Sequence, residues 1–197
     1  MLRMDIQPLL TKWHIRMSQE EILRRWREPH RAYHTCDHLA DVMNQIYAIP
    51  NNHITNKYRE MLLLAAIFHD IVYDPRRSDN EERSAQLLLQ HAPETTEIQY
   101  IVSIIRDTKT HVPRSPLSHI FCDLDMSIVK KPLPDLVRWE TGIRMEYKHV
   151  PRLLYMIGRV RFLRQMIQRY PENTEALTTL IRTIVPRWCR VFVGCVL

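Results

Sequence analysis

Apolar positions along the chain recur at three- and four-residue intervals, the period of an α-helix, and nowhere alternate long enough to mark a strand. Ser18 and Glu21 spell a capping box, in which the serine accepts from the third helical N–H and the glutamate reaches back to the cap. Thr35 caps a helix over about 35–49, stopped by Pro50, Asn51 and Asn52. Thr55 caps the next helix. Its centre, 61–68, is apolar nearly all round, which marks it as buried. Asp79 with Glu82 spells a second capping box, opening a helix with Ala85, Leu88 and Leu89 on its apolar face. Ile98, Ile101, Val102 and Ile105 form the stripe of a helix over about 94–108. The stretch 111–116 reads as a loop, because its two prolines interrupt helices. A short helix over 125–131 ends at Pro132 and Pro134. Two longer helices follow, about 135–148 and 152–168, with Pro151 between them. No internal repeat and no low-complexity segment occurs, and the pattern predicts an all-α fold.

Composition narrows the function classes. Lys plus Arg is 28 against 22 Asp plus Glu, a net charge of +6, and 45% of the 197 residues are hydrophobic. This is the makeup of a globular chain, of a length that suits one domain or one domain with an added helical lobe. The three glycines, Gly142, Gly158 and Gly194, share no motif, so a phosphate-cradling glycine loop and a dinucleotide fingerprint are excluded. Cys36, Cys122, Cys189 and Cys195 form no CxxC pair, which argues against a zinc ribbon and a disulfide framework. The opening residues do not resemble a signal peptide and no apolar run is long enough to cross a bilayer. A cytoplasmic protein with no membrane partner is expected. The basic charge admits anionic partners, but the arginines are spread along helices rather than gathered in a stripe. A solvated surface is the expected reading, and nucleic acid is not the expected partner.

Metal-type ligands concentrate at four places. His34 and His38 stand four apart at a helix start, where they can share a face. His69 and Asp70 end the most buried helix. His111 follows a helix, and Asp123 and Asp125 form the fourth group. His69-Asp70 is the most informative. An imidazole and a carboxylate set against a dry core are costly unless paired or bound to metal. The dipeptide alone reads as a helix end; the other His/Asp stations favour metal.

Here the residues resemble a known family. His38, then His69-Asp70, then a distant Asp125 is similar to the H…HD…D signature of the HD-domain superfamily of metal-dependent phosphohydrolases. The strings around Tyr33-His34, Phe68-His69-Asp70, Asp79 to Ala85, Asp123 to Ile128 and Ile143 to Tyr147 resemble a bacterial branch of it with no settled substrate. The match runs over about 26–170. It implies an HD-domain helical bundle, with a metal-binding core over about 18–131 and an additional C-terminal helical lobe over about 132–185. It implies His38, His69, Asp70 and Asp125 as metal ligands for a divalent ion. Imidazole with carboxylate favours Mn, Fe, Co, Ni or Zn, with Mg admitted. Such an ion lowers the pKa of a bound water and polarises a phosphoryl oxygen. Asp70 is expected to orient or deprotonate that water. His34, by likeness to the cyclic-nucleotide phosphodiesterases, is expected to protonate the leaving oxygen. Asp123 competes with Asp125 for the last ligand position, and otherwise orients a histidine.

Other candidate roles are looser. His111 stands where some superfamily members keep extra histidines for a second metal or for phosphate. Glu81 and Glu82 are candidates to support the ligands or the water, although Glu82 is already accounted for as a capping acid. Arg31 is a candidate for a two-pronged contact to phosphate, and Lys109 adds charge. Arg144, Glu146, Tyr147 and Arg159 match the branch in the lobe. The expected activity is hydrolysis of a phosphate ester or anhydride, on a nucleotide or related small phosphorylated metabolite. The alternative is a catalytically weak or inactive nucleotide- or metal-binding module, and a homo-oligomer is compatible with either. The tail 186–197, apolar and aromatic, departs from the acidic helix of the branch.

Overall fold

Eight consecutive residues with almost no polar atom, 61–68, have no solvent-facing side to offer, so the helix containing them must be enclosed by others. In the computed structural model, which describes residues 5–185, that is what happens. The tail 186–197, with Cys189, Gly194 and Cys195, lies outside the described residues. Among the described residues there are ten α-helices, two short 3-10 turns and no strand, as the periodicity predicts. The chain divides into two compact units on either side of the Asp125–Met126 bond.

The first unit contains α1 (Gln7–Lys12), α2 (Gln19–Trp26), α3 (Cys36–Ala48), α4 (Asn56–Phe68), α5 (Asn80–His91), α6 (Thr96–Asp107) and α7 (Pro116–Asp125). α4 packs against α3, α5, α6 and α7. Every residue from Met61 to Phe68 is buried. Each large apolar side chain enclosed in this way contributes about 1.5–3 kcal/mol relative to exposure. Ser18, Thr35, Thr55 and Thr95 all accept a backbone N–H at the start of their helices. Asp79 does not cap α5. Its carboxylate is taken by Arg77 through two contacts of 2.7 Å, and Glu82 is taken by Arg106 at 2.7 and 2.8 Å. The expected capping box is therefore replaced by two arginine pairs.

α7 also differs from the expectation of a loop running to Pro116. Pro116 is the first residue of the helix, and the Ser115 hydroxyl accepts the Ser118 N–H. A proline in the first turn loses no hydrogen bond, since the N–H it lacks would have had no helical partner.

The second unit contains α8 (Leu133–Glu146), α9 (Arg152–Arg169) and α10 (Thr174–Ile184), with α10 packed on both others. Its core holds Leu136, Trp139, Leu163, Leu177 and Leu180. Arg159 is buried there, donating through Nε to Glu140 at 2.6 Å with its guanidinium 4.1 Å from the Trp139 ring. The Tyr155 hydroxyl donates to the same Glu140 carboxylate at 2.7 Å. Arg144 donates to the carbonyls of Tyr147 and Val150 and so closes the α8–α9 turn.

Candidate metal centre

All the candidate ligands lie in the first unit, and four of its segments deliver them. His38 sits in the first turn of α3, behind the Thr35 cap. His69 is the C-cap of α4, where the last helical carbonyls lack intrahelical partners. Its Nδ1 donates to one of them, the Ala66 carbonyl, at 2.9 Å. That bond fixes the ring and leaves Nε2 as the free donor atom. Asp125 ends α7, and Asp70 begins the loop after α4.

Three donor atoms converge. His38 Nε2 and His69 Nε2 are 3.3 Å apart, and Asp125 Oδ1 lies 3.1 Å from the first and 3.5 Å from the second. Donors about 2.1 Å from one ion at tetrahedral angles stand about 3.4 Å from each other, so the triangle fits a single cation. Asp70 Oδ2 adds a carboxylate oxygen 3.1 Å from His69 Nε2. Two carboxylates and two imidazoles form a donor set of charge −2, matched to a divalent ion. This His38–His69–Asp125 cluster is a site able to hold a metal ion. Of the two acids on α7, Asp125 is the one in the triangle. Residues two apart on a helix project about 200° apart, so Asp123 cannot share that direction.

The electrostatics make the same demand for positive charge. Burial alone would depress the His69 pKa, but Asp70 and Asp125 reverse this and hold it well above its ordinary 6.5. Burial alone would raise both carboxyls. His69 and His34 instead hold Asp70 far below its ordinary range, and His69, with bonds from His111 and His38, does the same for Asp125. Without a metal, a proton on His69 supplies the cation.

His34 does not lie on α3 as the spacing suggests. It is in the loop before Thr35, with its ring 5.8 Å from that of His38 and 4.3 Å from that of Tyr73. Its Nε2 is 3.9 Å from Asp70 Oδ2, at the more open side of the cluster. His111 joins through the other oxygen of Asp125, Nε2 to Oδ2 at 3.1 Å. Its backbone is left-handed, φ 52°. A non-glycine residue held there costs about 1–3 kcal/mol and persists only where surrounding contacts enforce it.

Three expected participants stand elsewhere. Arg31 is not a free fork for phosphate. Its side chain is fully enclosed, and Nε, Nη1 and Nη2 all donate to protein oxygens. Glu82 faces Arg106 at the surface, and its neighbour Glu81 is the more enclosed acid. Burial, with the charge of Asp70 adding to it, raises the Glu81 pKa. Lys109 donates to the Ser78 carbonyl at 2.8 Å.

Three supporting residues, Asp107, Ser84 and Asn80, were not legible as such in the sequence. Asp107, 3% exposed, accepts from the Arg114 backbone and Nε and from the Ser118 hydroxyl, at 3.0, 2.6 and 2.6 Å. It thereby pins both ends of the loop carrying His111. Its one local hint is that an acid in the last turn of a helix opposes the macrodipole and needs another partner. Ser84 and Asn80 on α5 each bond both backbone groups of one residue in the loop after Asp70, Val72 and Asp74 respectively.

No protein-family model matches this chain, and searches of curated proteins and of solved structures returned no significant match. No described helix is long and apolar enough to cross a membrane.

Proposed function

We propose that the chain is a metal-dependent phosphohydrolase acting on a phosphate ester or anhydride, with a nucleotide or related small phosphorylated metabolite as substrate. One observation carries this reading: His38 Nε2, His69 Nε2 and Asp125 Oδ1 converge at single-cation spacing, with Asp70 and His34 beside them. The resemblance to the HD superfamily supports it. His38, His69 and Asp125 would hold the ion, with Asp70 at its edge. A divalent transition metal supplies Lewis acidity and makes water a stronger nucleophile at neutral pH. Asp70, held ionised, offers Oδ2 as an acceptor that orients an attacking water. His34, with 20% of its side chain exposed, faces the open side and is suited to deliver a proton to the leaving oxygen. His111 keeps Asp125 turned toward the histidines through its bond to Oδ2.

The test is elemental analysis of protein purified without chelator, beside a His69→Ala control, followed by turnover of phosphorylated substrates with the metal found. About one ion per chain, lost in the control, with product release that needs it, supports the reading. Full activity in Asp70→Ala would sink the mechanism. Metal or nucleotide bound tightly with no product over hours would favour the binding-module alternative.

A further inference from the structure

The loop before α3 carries His34 and the loop after α4 carries Asp70, and the Arg31 side chain bonds the backbone of both residues. Arg31 Nη1 donates to the His34 carbonyl at 3.1 Å and to the Asp70 carbonyl at 2.8 Å. Nη2 donates to the Ile71 carbonyl at 3.2 Å and, with Nε, to Glu28 at 3.1 and 3.2 Å. The guanidinium lies 5.3 Å from the ring centroids of both Trp26 and Tyr73. Trp26 in turn donates its indole N–H to the Ile67 carbonyl of α4 and lies beside the His69 ring. Three carbonyls from two loops thus converge on one rigid, fully enclosed fork, with Glu28 balancing its charge. A surface loop would leave such carbonyls to water. A lysine could not reproduce this, because one ammonium offers three donors at a point rather than five in a plane.

We propose that Arg31 is a positioning residue for Asp70 and His34: by holding both backbones it sets the Asp70 carboxylate against the metal ligands. This rests on the metal-centre reading above. If Arg31 acts through Asp70, its loss has nothing to act on once the Asp70 carboxylate is gone. A merely structural arginine would cost the same in either background.

The experiment is a double-mutant cycle read by Co2+ binding to the full chain, using the visible absorption of the bound ion. Arg31→Lys is expected to bind Co2+ about 10–100-fold more weakly than the parent. In an Asp70→Asn background the same change is expected to weaken binding less than about twofold. Equal losses in both backgrounds, or no loss in either, would overturn the proposal. If Arg31→Lys does not fold, Glu28→Gln, which removes the counter-charge but keeps the carbonyl bonds, carries the same cycle. It should show a smaller loss that again vanishes with Asp70→Asn. Failure of the parent chain itself to bind Co2+ would overturn the metal-centre reading beneath, and is distinct from a cycle that binds but adds.

Discussion

His69 is the residue on which the most forces meet. Its ring is locked by the Ala66 carbonyl and its free nitrogen lies within 3.1–3.5 Å of two carboxylates and a second imidazole. The raised pKa has a definite sign. In the metal-free protein, the protonated ring stabilises the fold fully below the unfolded value of 6.5, and that contribution fades as pH rises through the folded value. Metal must displace this proton from the folded protein, so ion affinity should climb by about tenfold per pH unit below the raised folded value, while one proton is released, and level off above it. Isothermal titration with Zn2+ or Co2+ in buffers of different ionisation enthalpy would measure the proton directly; a pH-independent affinity would contradict it. At Asp107, replacement by Ala strips partners from Ser118 and from the Arg114 backbone inside the fold. A loss of about 3 kcal/mol in urea unfolding is expected, together with weaker metal binding, because the His111 loop loses its anchor.

At the scale of elements, α4 is both the core and the support of the site, since its C-terminal end delivers His69 and Asp70 to the candidate centre. A cavity in it should therefore be felt twice. Leu64→Ala, at a fully buried position, should cost about 2–5 kcal/mol. Thr55→Ala removes only the acceptor for the Tyr58 N–H, and about 1 kcal/mol is expected. Denaturant midpoints at constant m-value would rank the two; a Thr55→Ala loss as large as that of Leu64→Ala would mean that the cap does more than satisfy one N–H. The loops between elements show the converse economy. The segment after Asp70 has little regular structure, yet Ser84, Asn80 and Arg31 bond its backbone from outside. Its rigidity comes from neighbouring side chains.

For the whole molecule, the first unit contains every ligand of the candidate centre, while the second holds a three-helix core around the Glu140–Arg159–Tyr155 group. An ion that binds only the folded state stabilises it by mass action, about 2.7 kcal/mol at a hundredfold excess over Kd. Calorimetry should show a melting transition that rises with Co2+ or Zn2+ concentration, and His69→Ala should abolish the rise. A metal-dependent rise that survives His69→Ala would locate binding outside the proposed triangle.

Local and periodic features were legible in the chain itself. The capping residues Ser18, Thr35 and Thr55, the buried 61–68 segment and the all-α class follow from rules that act within one or two helical turns. Of the candidate ligands, His69 stood out because an imidazole and a carboxylate at the end of a buried helix need a partner, whereas His38 and Asp125 were singled out by the family resemblance. Other assignments depended on distant neighbours. Arg31 reads as a phosphate fork until the carbonyls of His34, Asp70 and Ile71 come to surround it. Glu82 and Asp79 read as a capping box until Arg106 and Arg77 take their carboxylates. Asp125 rather than Asp123 meets the two histidines because of which side of α7 packs toward α3 and α4. An arginine or an acid can satisfy itself with many partners, and only the packing of elements far apart in sequence selects which one it meets.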